Sequence, residues 1–357
     1  MFSFILIFAS FVVALNYVLL RFPRMLMFIN GSNSKLKREN RVLGRGRGCL
    51  HISHRGGSNE YPENTIIAFE NSINKCNTDM LETDVWLTKD NVLVVLHDEN
   101  LSCICGINKC VGEYNYNELP LIKDSSSLKP SSDYLDKSVW SCFKNKFGPQ
   151  KIPTLEELFQ RYPNVLISVD IKNPDCICAV EKTVQLVRKY NRESKTMLCS
   201  FSDRNIEYIK KISSNLENEL IICVGEKKLF LILISYFLGL LPWLNIDEHV
   251  FSFPYSHIFF SNYSKALSRK ISSNKYIKVN QEHINSALKN LMSWLFTRKP
   301  LIKHLQKRGI RCFAWVCNNT DEFKVCSELG LDGIMTDEPS LLREYYNKLN
   351  IKPFKYT

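Results

Sequence analysis

The chain has 357 residues, of which 45% are hydrophobic and 23% charged, with a formal net charge of +11. That supplies a sizeable apolar core and excludes a disordered or fibrous chain. Much of the positive excess sits in Arg21, Arg24, Lys35, Lys37, Arg38, Arg41, Arg45 and Arg47, beside an apolar N-terminus; this favours anionic lipid headgroups over nucleic acid as the partner.

Residues Phe2 to Leu20 carry no charge. About 19 residues at 1.5 Å each nearly match a hydrocarbon core of roughly 30 Å. A cleaved leader would carry its positive charge ahead of the apolar run, whereas here the charge follows it. The pattern predicts an uncleaved single-pass anchor over residues 1–20, with its N-terminus across the membrane. The rest of the chain would then lie on the cytosolic side, at the endoplasmic reticulum or another internal membrane. Residues 21–48 read as a basic juxtamembrane linker. In a cytosolic domain the Asn318-Asn319-Thr320 sequon would go unused.

From Cys49 onward short β-rich runs alternate with amphipathic helices. Strands are predicted at Cys49–Ser53, Met80–Leu87, Val92–Leu96, Val165–Ile171, Thr196–Ser200, Leu220–Val224, Ile310–Val316 and Gly333–Met335. Helices are predicted at Thr65–Cys76, after Thr154, at Ala179–Tyr190, near Asp203, and after Thr320 and Pro339. This alternation implies an α/β domain over residues 49–347, and a closed (β/α)8 TIM barrel better than an open sheet, because polar clusters follow several strands. Residues 100–150 read as an insertion after the third strand, and 348–357 as a tail. The run LFLILISYFLGLLPWL, residues 229–244, is interrupted by Pro242 and flanked by barrel elements. It reads as an apolar segment facing the membrane near a lipid-entry mouth, not as a second span. Of the 13 cysteines, Cys103 and Cys105 have no second pair at zinc-finger spacing.

The chemistry concentrates between His51 and Leu101. Glu82 and Asp84 lie two apart in MLETDVW, so both project from one face of a strand, taken to be the barrel interior. The same parity turns Ser168, Asp170 and Lys172 inward. Three carboxylates suit an oxygen-preferring cation; the alternative is an ion-pair network with Lys172 and Arg55. His54 and His97 each end a strand beside the carboxylates and could divide acid and base roles. Gly56 and Gly57 would let backbone approach a ligand closely. Arg55 and Lys172 suit an anionic phosphate.

His54-Arg55-Gly56, Pro62-Glu63-Asn64-Thr65, Glu82-x-Asp84 and His97-Asp98 occur in an order and spacing that resemble the glycerophosphodiester phosphodiesterase domain. Asp170-x-Lys172, Trp315 and Thr336-Asp337 fit its remaining landmarks. The anchor, the internal apolar run and the DGIMTDEP stretch are similar to its membrane-associated subgroup, which acts as lysophospholipase D. The resemblance implies a TIM barrel with Glu82, Asp84 and Asp170 binding one divalent cation, Mg2+ or Ca2+. His54 and His97 would be the catalytic acid/base pair, and Arg55 and Lys172 would bind phosphate; of the pair, His54 is read as the base and His97 as the acid. Trp315 would line the pocket; Glu63 and Asn64 would support the metal site. Asp170 departs from the Glu that many relatives carry.

The expected reaction is cleavage of lysophosphatidylcholine, lysophosphatidylethanolamine or N-acyl forms to lysophosphatidic acid and the headgroup alcohol. The nucleophile would be water or the glycerol hydroxyl, the latter giving a cyclic phosphate. The nearest rival is a phosphodiesterase for deacylated glycerophosphodiesters, yielding glycerol 3-phosphate and alcohol. A rival of another class is a catalytically silent lipid-binding membrane scaffold.

Overall fold

The computed structural model describes residues 15–22, 48–124, 147–215, 219–255, 291 and 294–353. Most of the expected anchor and linker, and residues 125–146 of the insertion, lie outside the described residues. Among the described residues nine strands make one sheet. Eight run parallel: β1 (Leu50–Ser53), β2 (Met80–Leu87), β4 (Leu166–Ile171), β5 (Thr196–Cys199), β6 (Ile221–Ile222), β7 (Val250–Pro254), β8 (Arg311–Trp315) and β9 (Gly333–Thr336). Their order is β6-β5-β4-β2-β1-β9-β8-β7. The open ends meet at a single bridge, Cys223 to Val250, with Val224 N donating to Val250 O at 2.9 Å. The barrel is therefore nearly closed, with one thin seam.

Each parallel strand returns through a helix on the outside, as parallel connections require. These are α1 (Ile66–Asn74), α2 (Leu155–Arg161), α3 (Ile177–Lys189), α4 (Asp203–Ser213), α5 (Glu226–Phe237), α6 (Lys299–Lys307), α7 (Thr320–Leu329) and α8 (Pro339–Lys348). Four start on side-chain caps: Thr65, Thr154, Ser202 and Asn319 accept from Ala68 N, Glu157 N, Asn205 N and Glu322 N. Such caps satisfy amides that have no partner within the helix.

Strand parity behaves as expected. Ile52, Met80 and Leu166 are register neighbours and bury in one cluster with Met197 and Ile221. This is an apolar floor. The next inward residues along the strands are Glu82 and Ser168, then Asp84 and Asp170. Leu81, Val85, Ile167, Val169 and Ile171 face the other way and pack with residues of α1 to α4. The carboxylates thus stand toward the C-terminal mouth, where barrels of this kind place their chemistry.

Three expectations need correcting. The third predicted strand is not a barrel strand: β3 (Leu93–Val95) pairs antiparallel with β2 through the turn at Asn91, whose φ is +61°. The insertion therefore follows a hairpin, and it builds its own cluster from Val94, Leu96, Leu101, Ile104, Val111 and Ile122. Secondly, β7 and α6 were not anticipated. Val250, Phe251 and Phe253 are all buried, so the strand lacks the alternation that betrays a half-exposed one. Thirdly, the predicted Leu220–Val224 strand shortens to Ile221–Ile222.

The apolar 229–244 segment forms most of α5 and a 3-10 turn over Leu241–Trp243. Leu229, Ile232 and Leu233 bury against the barrel, while Leu231, Ile234, Phe237, Leu238, Leu240 and Trp243 are exposed. Because α5 runs back from the mouth, these exposed residues extend along its flank rather than ringing the opening. Residues 15–21 are helical and dock nearby. Asn16 Oδ1 accepts from Trp243 Nε1 at 2.9 Å, and Leu20 O lies 2.9 Å from His304 Nδ1. Among the described residues no helix is long and apolar enough to cross a membrane.

His304 is buried, and burial holds its imidazole down to about 4. Because its folded value lies below the ordinary 6.5 or so, the unfolded chain binds the extra proton. Stability is thus intact above pH 6.5 and is lost as pH falls toward 4, by about 3 kcal/mol at roughly 1.4 kcal/mol per unit. Denaturant unfolding at pH 7.5 and 4.5 should show this loss, and His304→Gln should recover a large share of it. Equal pH sensitivity in the variant would refute the assignment.

Candidate active site

β1 ends in a 3-10 turn, His54–Gly56, where Arg55, Gly56 and Gly57 all take positive φ. A Cβ on Gly56 would meet Phe69 Cδ1 at 2.9 Å, and one on Gly57 would meet Pro339 Cγ at 2.6 Å. The two glycines therefore let the loop press on α1 and α8. The turn swings the His54 imidazole into the mouth. Its Nδ1 lies 2.6 Å from Asp337 Oδ1, and its Nε2 lies 3.9 Å from Glu82 Oε2. A carboxylate only accepts, so Nδ1 carries the hydrogen and Nε2 is the nitrogen left for chemistry.

Asp337 follows β9 and is itself held: Ser58 Oγ donates to it, and Asn318 Nδ2 donates at 2.8 Å. Burial raises its carboxyl, but His54, Ser58 and Asn318 outweigh that and hold it at about 2. Burial likewise disfavours charge on His54, and Asp337 and Glu82 together outweigh it, raising the ring's affinity for a proton. Asn318 Oδ1 also accepts from Asp337 N at 2.9 Å, so a glycan on this sequon would dismantle the support.

His97 follows β3 and is anchored the same way, with Nδ1 2.6 Å from Asp98 Oδ1. Trp86 Nε1 donates to His97 O at 2.8 Å. Both imidazoles thus have one nitrogen fixed by a carboxylate and the other available. His51 is outside this set: it is buried against Tyr346 and Arg343 on the helix side of β1.

Between the histidines lies the charge cluster. Glu82 Oε2 accepts from Arg55 N at 2.8 Å. Asp84 Oδ2 accepts from Asn64 Nδ2 at 3.0 Å and lies 3.4 Å from Arg55 Nε. Lys172 Nζ spans Asp84 Oδ1 at 3.0 Å and Asp170 Oδ2 at 2.8 Å. Glu63 Oε2 accepts from Arg55 Nη1 at 2.9 Å. Glu63 therefore fixes the guanidinium, and Asn64 fixes Asp84; both act beside the carboxylates. Arg55 and Lys172, expected to meet phosphate, are paired with Glu63, Asp84 and Asp170 here.

Glu63, Glu82, Asp84 and Asp170 face Arg55 and Lys172, four carboxylates against two permanent cations. Burial, and next the charge of Asp84, push the Glu82 carboxyl up to about 7. Burial also works against charge on Asp84, but Lys172, His97 and Arg55 prevail and keep it well below the usual range. Lys172 is driven down by burial and, more strongly, up by Asp170 and Asp84.

Two observations fit a divalent cation here. Asp170 Oδ1 is buried without a hydrogen-bond partner. The cluster also holds more carboxylates than permanent cations, and its donors are the hard oxygens that Mg2+ and Ca2+ prefer. Among the described residues no three His, Cys, Asp or Glu side chains already stand in metal-ligand array; Lys172 lies between Asp84 and Asp170. Cys105 buries in the insertion's cluster, and every cysteine among the described residues is a free thiol.

Trp315 ends β8 and meets Phe201 edge-on, ring centroids 6.2 Å apart, with Lys172 Nζ 5.3 Å from the Phe201 ring. Sequence reading missed Phe201, which follows β5 without any motif, and assigned no role to Asp337, Asn318 or Ser58. The only signal for Asp337 was its place in Thr336-Asp337 at a strand end. Replacing Asp337 by Asn should keep the fold but release His54, lowering kcat by about 10²-fold or more with little change in KM. An unchanged kcat would show that the contact does no catalytic service.

The family model for the glycerophosphoryl diester phosphodiesterase family matches residues 54–229 and 243–341. Human lysophospholipase D GDPD1 is 32% identical over 339 residues, covering 94% of each chain. Human lysophospholipase D GDPD3 is 34% identical, covering 82% of this chain and 83% of its own. A glycerophosphodiester phosphodiesterase of Caldanaerobacter subterraneus is 25% identical, covering 82% and 96%. In fold, the chain is similar to crystal structures of glycerophosphodiester phosphodiesterases from Agrobacterium tumefaciens (TM-score 0.54, 17% identity, covering 83% of this chain and 99% of that one) and Thermotoga maritima (0.53, 19%, 84% and 99%). The family match resumes after a gap at residues 230–242, a stretch that includes the exposed Leu231, Ile234, Phe237, Leu238 and Leu240. A nearly closed barrel, His-Arg-Gly at the end of β1, Glu-x-Asp on β2 and this coverage together place the chain in the glycerophosphoryl diester phosphodiesterase family of hydrolases.

Proposed function

We propose that this enzyme is a membrane-associated lysophospholipase D. It would cleave the bond between phosphate and headgroup alcohol, turning lysophosphatidylcholine and water into lysophosphatidic acid and choline. The observation carrying the chemistry is the pair of imidazoles, His54 and His97, each anchored at Nδ1 by a carboxylate beside one cluster of acids and cations. His54 Nε2 takes the proton of the attacking water, and Asp337 strengthens that basicity. His97 Nε2 returns a proton to the departing alcohol. Lys172 and Arg55 exchange part of their ion pairing for the phosphate oxygens. Glu82, Asp84 and Asp170 would hold one Mg2+ or Ca2+, which when bound supplies positive charge against those oxygens.

The lipid direction rests on the two human relatives, named as lysophospholipases D, and on the exposed apolar residues of 230–242 that interrupt the family match. We place the barrel on the cytosolic face of an internal membrane. The Phe2–Leu20 run would anchor it, with the end of that run docked on the barrel through Asn16 and Leu20, and the α5 flank would rest in the headgroup region. Purified full-length protein with lysophosphatidylcholine, with and without chelator, tests the reaction. Lysophosphatidic acid and choline are expected; release of fatty acid would sink the proposal. The second reading, an enzyme for deacylated glycerophosphodiesters, rests on the bacterial relative. It predicts the greater kcat/KM on glycerophosphocholine.

A further inference from the structure

Phe201 is out of place for a residue at the rim of a charged site. It is a pure hydrocarbon ring, 53% exposed, standing over the Lys172 ammonium that closes the acid cluster. It follows β5, and the Trp315 it touches ends β8; β6 and β7 lie between those strands in the barrel. The two rings therefore form an arch across the β6–β7 side of the mouth. That sector is where the seam lies, and the chain leaving β6 enters α5, with Leu231 and Ile234 exposed along it. A phosphate held at Lys172 would set one arm of its diester against this arch. In a lysophospholipid that arm is long and apolar, whereas in a deacylated substrate it is a bare glycerol.

We propose that Phe201, braced by Trp315, is a specificity-determining residue that receives the acyl arm of the substrate where it leaves the phosphate site and directs it toward the α5 flank. This rests on the lysophospholipase D reading and names the residue that separates acylated from deacylated substrates. An aromatic ring offers area for apolar contact without a polar atom to desolvate. One methylene more or less in a hydrophobic pocket is worth roughly 10–200-fold in discrimination between substrates, and an acyl chain carries many. The other chemistry an exposed ring can bind is a quaternary ammonium, by its π face. Lys172 already presents a cation 5.3 Å from that ring, which opposes a second positive charge there.

The test is kcat/KM of the full-length enzyme on lysophosphatidylcholine and on glycerophosphocholine, for the native chain, Phe201→Ala and Phe201→Leu. These substrates share headgroup and phosphate and differ in the acyl chain alone. Phe201→Ala is expected to lower the ratio of lysophosphatidylcholine to glycerophosphocholine activity about tenfold or more, chiefly through KM. Phe201→Leu, which keeps an apolar surface, should restore much of that ratio. The exposed position predicts unchanged melting temperatures, so the ratio reads recognition and not folding. Equal losses on both substrates would place the ring at the headgroup and overturn the proposal, as would no change in the ratio. A native enzyme active on glycerophosphocholine alone would overturn the lysophospholipase D reading itself, and this inference with it.

Discussion

Replacing His97 by alanine is expected to lower phosphodiester cleavage by roughly 10²–10⁴-fold, the usual contribution of a positioned proton donor. The side chain is partly exposed, and its anchoring contact is to the adjacent Asp98, so the barrel should keep its stability. The loss should therefore appear in kcat with an unchanged melting temperature. The leaving group distinguishes the donor role from a structural one. A p-nitrophenyl diester releases an anion that needs no proton, so His97→Ala should be much less damaging there than on a choline ester. His54→Ala, in the acceptor's role, should impair both substrates alike. An uninjured His97→Ala on the choline ester would remove this residue from the mechanism.

The second large effect is expected at Asp170. The site holds four carboxylates against two fixed cations, with Asp170 Oδ1 buried and unpartnered. If a divalent ion completes the balance, Mg2+ or Ca2+ at about 100 times its dissociation constant should stabilise the native enzyme by about 2.7 kcal/mol, since binding favours the folded state. Asp170→Asn keeps the shape and removes the charge. It should abolish most of that stabilisation along with most of the activity. Thermal unfolding with and without each cation reads the binding separately from turnover. An indifferent native protein, in unfolding and under chelator, would refute the metal site. A variant that responds as fully as the native chain would move the ligand set elsewhere.

Much of this was legible before any coordinates because the informative patterns were short. In Met80–Leu87 and Leu166–Ile171 two-residue periodicity alone turns Glu82, Asp84 and Asp170 to one side, and the barrel keeps them there. Thr65 and Thr154 announced their helices through side chains that reach only three residues ahead. β7 stayed hidden for the opposite reason. Four of its five residues are buried, on both faces, so the alternation around Ser252 is too short to mark a strand. The β2–β3 hairpin was miscounted because an antiparallel and a parallel strand of three residues carry the same local signal.

Residue identity and spacing along the chain determined the family, the barrel and the roster of acids, cations and imidazoles. Pairings between distant positions were beyond them. Asp337 lies 283 residues from His54, and only closure of the β1–β9 edge brings its carboxylate to the ring. That Glu63 acts by holding Arg55, and that the Gly56-Gly57 pair lets the loop press on two helices, both depend on what packs against the loop. Phe201 meets Trp315 across two intervening strands. Local periodicity acts over a few residues; the choice of partner for each charged or aromatic group is made by strand order and barrel closure, which no short stretch encodes.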